Sequence, residues 1–125
     1  MARILIVDDD PDMVESSRIV LESEGHQVSA AHSAKDGMKA VGTLDPDLLI
    51  LDVMMEQPDD GIAMAQDLRR DGFAKPILML TSLSKVAGQK YDKNELIPVD
   101  DFQEKPIDPA VLIQKVSGLL QGKEI

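Results

Sequence analysis

Pro46-Asp47-Leu48-Leu49-Ile50-Leu51-Asp52 carries four consecutive apolar residues, Leu48–Leu51, closed by an acid. A short continuous run of this kind, rather than an alternating one, is the mark of a parallel strand covered on both faces. Similar runs recur at Ile4–Val7, Val28–Ala31 and Ile77–Leu80, and a weaker fifth strand is expected at about Asp101–Glu104. Longer polar or amphipathic segments separate them, so strands alternate with helices.

The helix boundaries are written in capping residues. Asp10-Pro11 and Asp108-Pro109 each set a capping acid before a proline, whose missing N–H costs nothing at the first helical position. The first helix should run to about Glu24, with Gly25 as its stop. Ser33, with Asp36 three residues on, opens a second helix ending near Leu44, and Asp45-Pro46-Asp47 turns the chain back. A third helix fits Gly61–Arg70, with Ile62, Ala65 and Leu68 aligned. The last fits Pro109–Leu120, with Leu112, Val116 and Leu119 on one face. Between Ser84 and Glu95 there is little apolar stripe, so a fourth helix there is short or mobile. Five strand–helix units predict an α/β fold, an open parallel sheet with right-handed crossovers and helices on both faces.

Composition narrows the function. The 125 residues hold 13 basic and 23 acidic side chains, a net charge of −10, with no Cys, no Trp, one Tyr and two Phe. This length is expected to make a single domain, residues 1–125, without an output domain. The absence of Cys removes disulfides, thiol nucleophiles and thiolate metal sites. No apolar run approaches the roughly 20 residues of a membrane span, and Met1-Ala2-Arg3-Ile4 does not open a secretory signal, so a cytoplasmic location is expected. The acidic surplus disfavours nucleic acid, whose binding depends on Lys and Arg neutralising phosphates. Proteins, cations or locally held small anions are the expected partners.

In such sheets ligands bind beyond the carboxyl ends of the strands. There the sequence places Asp8-Asp9 after the first strand, Asp52 at the end of the third, Thr81-Ser82 at the end of the fourth and Lys105-Pro106 after the fifth. Three carboxylates and one ammonium leave two negative charges to compensate. Mg²⁺ suits that set, since it takes one or two carboxylates, waters and phosphate oxygens. Asp52 interrupts the otherwise apolar stretch Leu48–Met55, where a charge is costly unless paired or metal-bound. As a carboxylate nucleophile it could accept a phosphoryl group, with a hydroxyl and an ammonium beside it to bind phosphate oxygens.

The motifs Ile4-Leu5-Ile6-Val7-Asp8-Asp9, Pro46-Asp47-Leu48-Leu49-Ile50-Leu51-Asp52, Leu80-Thr81-Ser82 and Glu104-Lys105-Pro106 together resemble the receiver domain of two-component response regulators, in particular the stand-alone, chemotaxis-regulator-like form. The resemblance covers essentially the whole chain. It implies a flavodoxin-like doubly wound (βα)5 three-layer sandwich with strand order 2-1-3-4-5. It also implies a Mg²⁺-dependent phosphorylation of Asp52 by a sensor histidine kinase or histidine phosphotransfer protein, acting as a switch or relay towards a downstream protein target. Asp9, Asp52 and the Met54 carbonyl would bind the metal, with Asp8 acting largely through water. Thr81 and Lys105 would contact the phosphoryl group, Phe102 would couple to Thr81 as a switch, and the Lys105-Pro106 bond would be cis. Such a protein is a signalling domain rather than an enzyme, a monomer or a phosphorylation-dependent dimer, acting without nucleic acid or membrane.

Two segments depart from the family pattern. Glu56-Gln57-Pro58-Asp59-Asp60 makes the stretch from Asp52 to Gly61 one residue longer than usual, and Ile97-Pro98-Val99-Asp100-Asp101 replaces the common approach to the fifth strand.

Each residue also has a plain reading. Alone, Asp8-Asp9 is a solvated turn, Asp10 a helix cap, Thr81 a strand end, Lys105 a surface lysine and Phe102 core. The convergence of Asp8, Asp9, Thr81 and Lys105 on one sheet edge outweighs those readings for these four, while Asp10 stays a helix cap and Phe102 stays open between core and switch. His26 and His32 are read as surface residues near the second strand, away from the site. Two other functions compete: a haloacid-dehalogenase-like phosphatase using Asp8 as nucleophile, which leaves Asp52 unexplained, and a phosphorylation-independent interaction module. An EF-hand reading of the same acids is weaker still, since Met13 stands where the turn needs Gly.

Overall fold

A computed structural model describes residues 2–53, 55, 60–82, 99–105 and 107–121, with the backbone alone for Thr81 and Ser82. The elements run β1 (Arg3–Val7), α1 (Pro11–Ser23), β2 (Gln27–Ala31), α2 (Ala34–Leu44), β3 (Leu48–Asp52), α3 (Asp60–Arg70), β4 (Ile77–Ser82), β5 (Asp101–Lys105) and α4 (Pro109–Leu120). All strands are parallel, in the order β2-β1-β3-β4-β5. The expected fourth helix, between Ser84 and Glu95, lies outside the described residues.

Strand alternation divides the core into two clusters. Leu5, Val7, Leu49, Leu51, Ile77 and Met79 face α2 and α3, packing on Met64, Ala65 and Leu68. Ile4, Ile6, Leu48, Ile50, Leu78 and Leu80 face α1 and α4, packing on Val14, Leu21, Leu112 and Val116. Every residue of central β3 is buried, as its unbroken apolar run requires. Val28–Ala31 behaves otherwise: only Ala31 is buried, because β2 forms an edge of the sheet. A fully buried Leu or Ile contributes about 1.5–3 kcal/mol. An exposed ion pair such as Lys75–Asp47, at 3.8 Å, contributes about 0–1 kcal/mol. The two clusters therefore hold the fold.

The helix starts follow their caps. Asp10 Oδ1 accepts from the N–H groups of Asp12 and Met13 at 3.0 and 3.4 Å. Ser33 Oγ accepts from Asp36 N at 3.1 Å, and Asp108 Oδ1 from Ala110 N at 2.8 Å. Gly25, at φ +91°, takes the left-handed turn after α1. α3 begins at Asp60, one residue before the expected Gly61, and buries Met64 besides Ala65 and Leu68.

A clasp at the opposite end of the sheet from the strand-end acids uses one of the departures. Arg69 Nη1 donates to the carbonyls of Phe73 and Lys75, both at 2.8 Å, and Nη2 meets Asp100 Oδ2 at 2.9 Å. The same Asp100 oxygen accepts from Ile77 N at 2.8 Å, fastening the entry to β5 onto the head of β4. Lys115 Nζ reaches Asp101 Oδ2 at 2.8 Å and ties α4 to β5. No helix among the described residues is long and apolar enough to cross a membrane.

Candidate functional site

The parallel sheet delivers its acids to one edge. Asp8 follows β1 and continues the ladder for one residue, its N–H donating to the Ala31 carbonyl at 3.1 Å. Asp52 ends β3, and Val53 N donates to the Leu80 carbonyl at 3.0 Å. Gly61, in the first turn of α3, donates its N–H to the Val53 carbonyl at 2.8 Å. A Cβ at Gly61 would stand 2.0 Å from the Asp52 carbonyl oxygen, so only glycine allows the helix this close to the strand end.

Carboxylate oxygens of Asp8, Asp9 and Asp52 all lie within 4.8 Å of one another. Asp8 and Asp52 are buried and Asp9 is exposed. Lys105, at the end of β5, brings Nζ to 2.9 Å from Asp8 Oδ2 and 3.3 Å from Asp52 Oδ1. Asp8 Oδ1 accepts from Asp10 N at 2.9 Å, but the buried Oδ2 receives no aligned hydrogen bond, only the ion-pair contact with Lys105.

The electrostatics follow from burial and from like charge. Burial first, and the charge of Asp8 second, push Asp52 up from 3.8 to about 6, against the opposing pull of Lys105. Burial alone would lower the Lys105 ammonium, but contact with Asp8 and the charges of Asp8 and Asp52 outweigh it and hold its pKa above the ordinary value. One ammonium does not neutralise three carboxylates, and among the described residues the buried Asp8 Oδ2 has only that shared ammonium beside it. An all-oxygen set with that deficit fits a hard divalent cation.

The remaining predicted residues fall in several places. Thr81 pairs in register with Glu104 on the neighbouring strand, while its hydroxyl lies outside the described residues. Met54 and the Lys105-Pro106 bond also lie outside them. Phe102, opposite Met79 in β5, is partly buried and packs on the cluster shared by α2 and α3.

His26 lies at the far end of the sheet, its Nδ1 accepting from Ala2 N at 3.2 Å. His32 does not stay away from the acids as expected. Its Nδ1 lies 3.2 Å from the Asp8 carbonyl oxygen. The residue directly follows Ala31, which pairs with Val7 and accepts from Asp8 N. Strand register carries it to the site, and register between separate strands is not visible in a local sequence pattern.

The response regulator receiver domain matches residues 4–117. The chain belongs to this family. The receiver is 37% identical to the DNA-binding dual master transcriptional regulator RpaA of Synechocystis over 97% of this chain and 50% of that protein. It is 30% identical to protein PilH of Pseudomonas aeruginosa over 98% of this chain and 100% of that protein. It therefore spans about half the length of the first relative and all of the second. A CheY-like receiver domain protein from Methanospirillum hungatei superposes with a TM-score of 0.81 at 25% identity, covering 97% of this chain and 94% of that one. The family is that of the signalling receivers of two-component systems, and Asp8, Asp9 and Asp52 of this chain form an acidic pocket that could hold a metal ion.

Proposed function

We propose that Asp52 is the phosphoacceptor, with a sensor histidine kinase or histidine phosphotransfer protein as donor. Mg²⁺ would be held by Asp8, Asp9, Asp52 and the Met54 carbonyl. The observation that carries this reading is the convergence of three carboxylates and the Lys105 ammonium on one strand edge. When bound, Mg²⁺ supplies charge that offsets the carboxylates and the incoming phosphoryl oxygens.

An Asp52 carboxylate oxygen attacks phosphorus in line as the bond from phosphorus to the donor nitrogen breaks. The electron pair leaves with the donor imidazole, which takes up a proton. With a pKa of about 6, Asp52 is ionised at neutral pH yet more basic than an ordinary carboxylate, which suits a nucleophile. Lys105 Nζ, already between Asp8 and Asp52, donates a hydrogen bond to a phosphoryl oxygen and keeps its charge, and the Thr81 hydroxyl donates to another. The acyl phosphate later hydrolyses by attack of water at phosphorus, returning the carboxylate.

Phe102 couples the phosphoryl state to the surface through Thr81, and the output is a changed affinity for a downstream protein. The unit acts in the cytoplasm as a monomer or a phosphorylation-dependent dimer, without catalytic turnover of a separate substrate. Its charge of −10 argues against nucleic acid as its own ligand.

The phosphatase alternative, with Asp8 as nucleophile, is disfavoured by burial: the Asp8 side chain has 0% exposure against 7% for Asp52. In the test, the protein is incubated with acetyl phosphate and Mg²⁺ and its intact mass is recorded. A gain of one phosphoryl group is expected, absent without Mg²⁺ and absent in Asp52→Ala. Labelling that survives in Asp52→Ala overturns the assignment.

A further inference from the structure

The acids of the site are held unequally. Asp8 is anchored through its own N–H, through Oδ1 and through Lys105, and Asp52 through β3 and Lys105. Asp9 is exposed, and among the described residues no hydrogen bond restrains its side chain. What restrains Asp9 is the peptide that precedes it. The Asp8 carbonyl and the Asp9 N–H belong to one planar unit, so fixing the carbonyl oxygen fixes the origin of the Asp9 side chain.

That oxygen is the one 3.2 Å from His32 Nδ1. A carbonyl oxygen only accepts, so Nδ1 carries the proton and donates. Neutral imidazole in that tautomer and imidazolium both do so, which makes the contact independent of the charge on the ring. Together with the bond from Asp8 N to Ala31 O, it clamps the residue after β1 from both sides by consecutive residues at the end of β2.

We propose that His32 is a positioning residue for the metal site: its Nδ1–H, held against the Asp8 carbonyl, fixes the Asp8-Asp9 peptide and thereby aims the Asp9 carboxylate at Asp8 and Asp52. The proposal rests on the reading of these three acids as a Mg²⁺ set. His32 is exposed, so its replacement leaves the core intact.

Isothermal titration of Mg²⁺ into the wild type, His32→Leu and His32→Asn tests it. The asparagine side chain places an N–H near the position of the histidine Nδ1. Partners that orient a metal ligand are commonly worth 10–100-fold in affinity, and for a solvent-exposed one we expect His32→Leu to weaken Mg²⁺ binding about three- to tenfold. His32→Asn is expected to restore it. In metal-free protein the Asp9 amide resonance should shift in His32→Leu and return in His32→Asn. Wild type that binds no Mg²⁺ overturns the metal reading and the proposal with it. Wild type that binds, beside a His32→Leu variant of equal affinity or with an unmoved Asp9 amide, overturns the proposal alone.

Discussion

Replacing Asp52 by asparagine removes one of two carboxylates that burial forces together, and the metal-free protein gains stability above about pH 6. Asp52 moves from 3.8 to about 6 on folding. Each pH unit is worth about 1.4 kcal/mol, so the ionised residue costs the fold at most about 3 kcal/mol. The asparagine still buries an amide, and Lys105 loses one of its two partners, so the expected gain is about 1–3 kcal/mol. For a chain of this size that corresponds to roughly 4–12 °C in Tm.

The sign is set by which state holds the proton. Between about pH 4 and 6 the folded chain keeps a proton on Asp52 that the unfolded chain has lost, so wild-type stability falls as pH rises through that window. Asp52→Asn lacks this contribution, and the two proteins converge near pH 4. Thermal unfolding followed by circular dichroism from pH 4 to 8 without divalent metal measures the gap. Adding Mg²⁺ at pH 7.5 should narrow it by stabilising the wild type more than the variant. Equal Tm values at pH 7.5, or a gap of the same size at pH 4, would refute the account of strained, uncompensated charge.

Lys105→Met withdraws the positive charge that lowers Asp52, so a carboxyl NMR titration should find Asp52 above about 6; an unchanged or lower value counts against the pairing. The same change strands Asp8, which is fully buried, and should destabilise the protein by about 3 kcal/mol in urea, the low end for breaking a buried pair. Gly61→Ala drives a Cβ against the rigid backbone of Asp52 and should cost about 3 kcal/mol with weaker Mg²⁺ binding. Gly37→Ala meets only the side-chain ends of Met64 and Val7, at 2.9 Å, and should cost about 1 kcal/mol with metal binding unchanged. Equal costs for the two glycines would show that close approach at Asp52 does not matter.

The architecture was legible because its signals are local. Leu48–Leu51 announces a strand covered on both faces, and Asp10-Pro11, Ser33 and Asp108-Pro109 announce helix starts without reference to the rest of the chain. The convergence of Asp8, Asp9, Asp52 and Lys105 was legible one step further on, because a parallel sheet sends all its strand ends to one side. Contacts across strands and loops were not. His32 joins the acids through the register of β1 with β2, and Asp100 serves as the hinge pin of the Arg69 clasp through a fold-back of 31 residues. Val28-Ser29-Ala30-Ala31 is less apolar than the central runs, in keeping with its place at the edge of the sheet, which only the order of the strands establishes.

Central β3 inserts Leu49 and Leu51 into one apolar cluster and Leu48 and Ile50 into the other, each with at most 1% exposure. Close-packed interiors resist compression, so this strand is gripped from above and below like a bar in a vice. A group added to its tip cannot be accommodated by sliding the bar. The displacement has to be taken up beside the strand tip, where Asp8, Asp9 and the first turn of α3 at Gly61 crowd the Asp52 carboxylate and backbone.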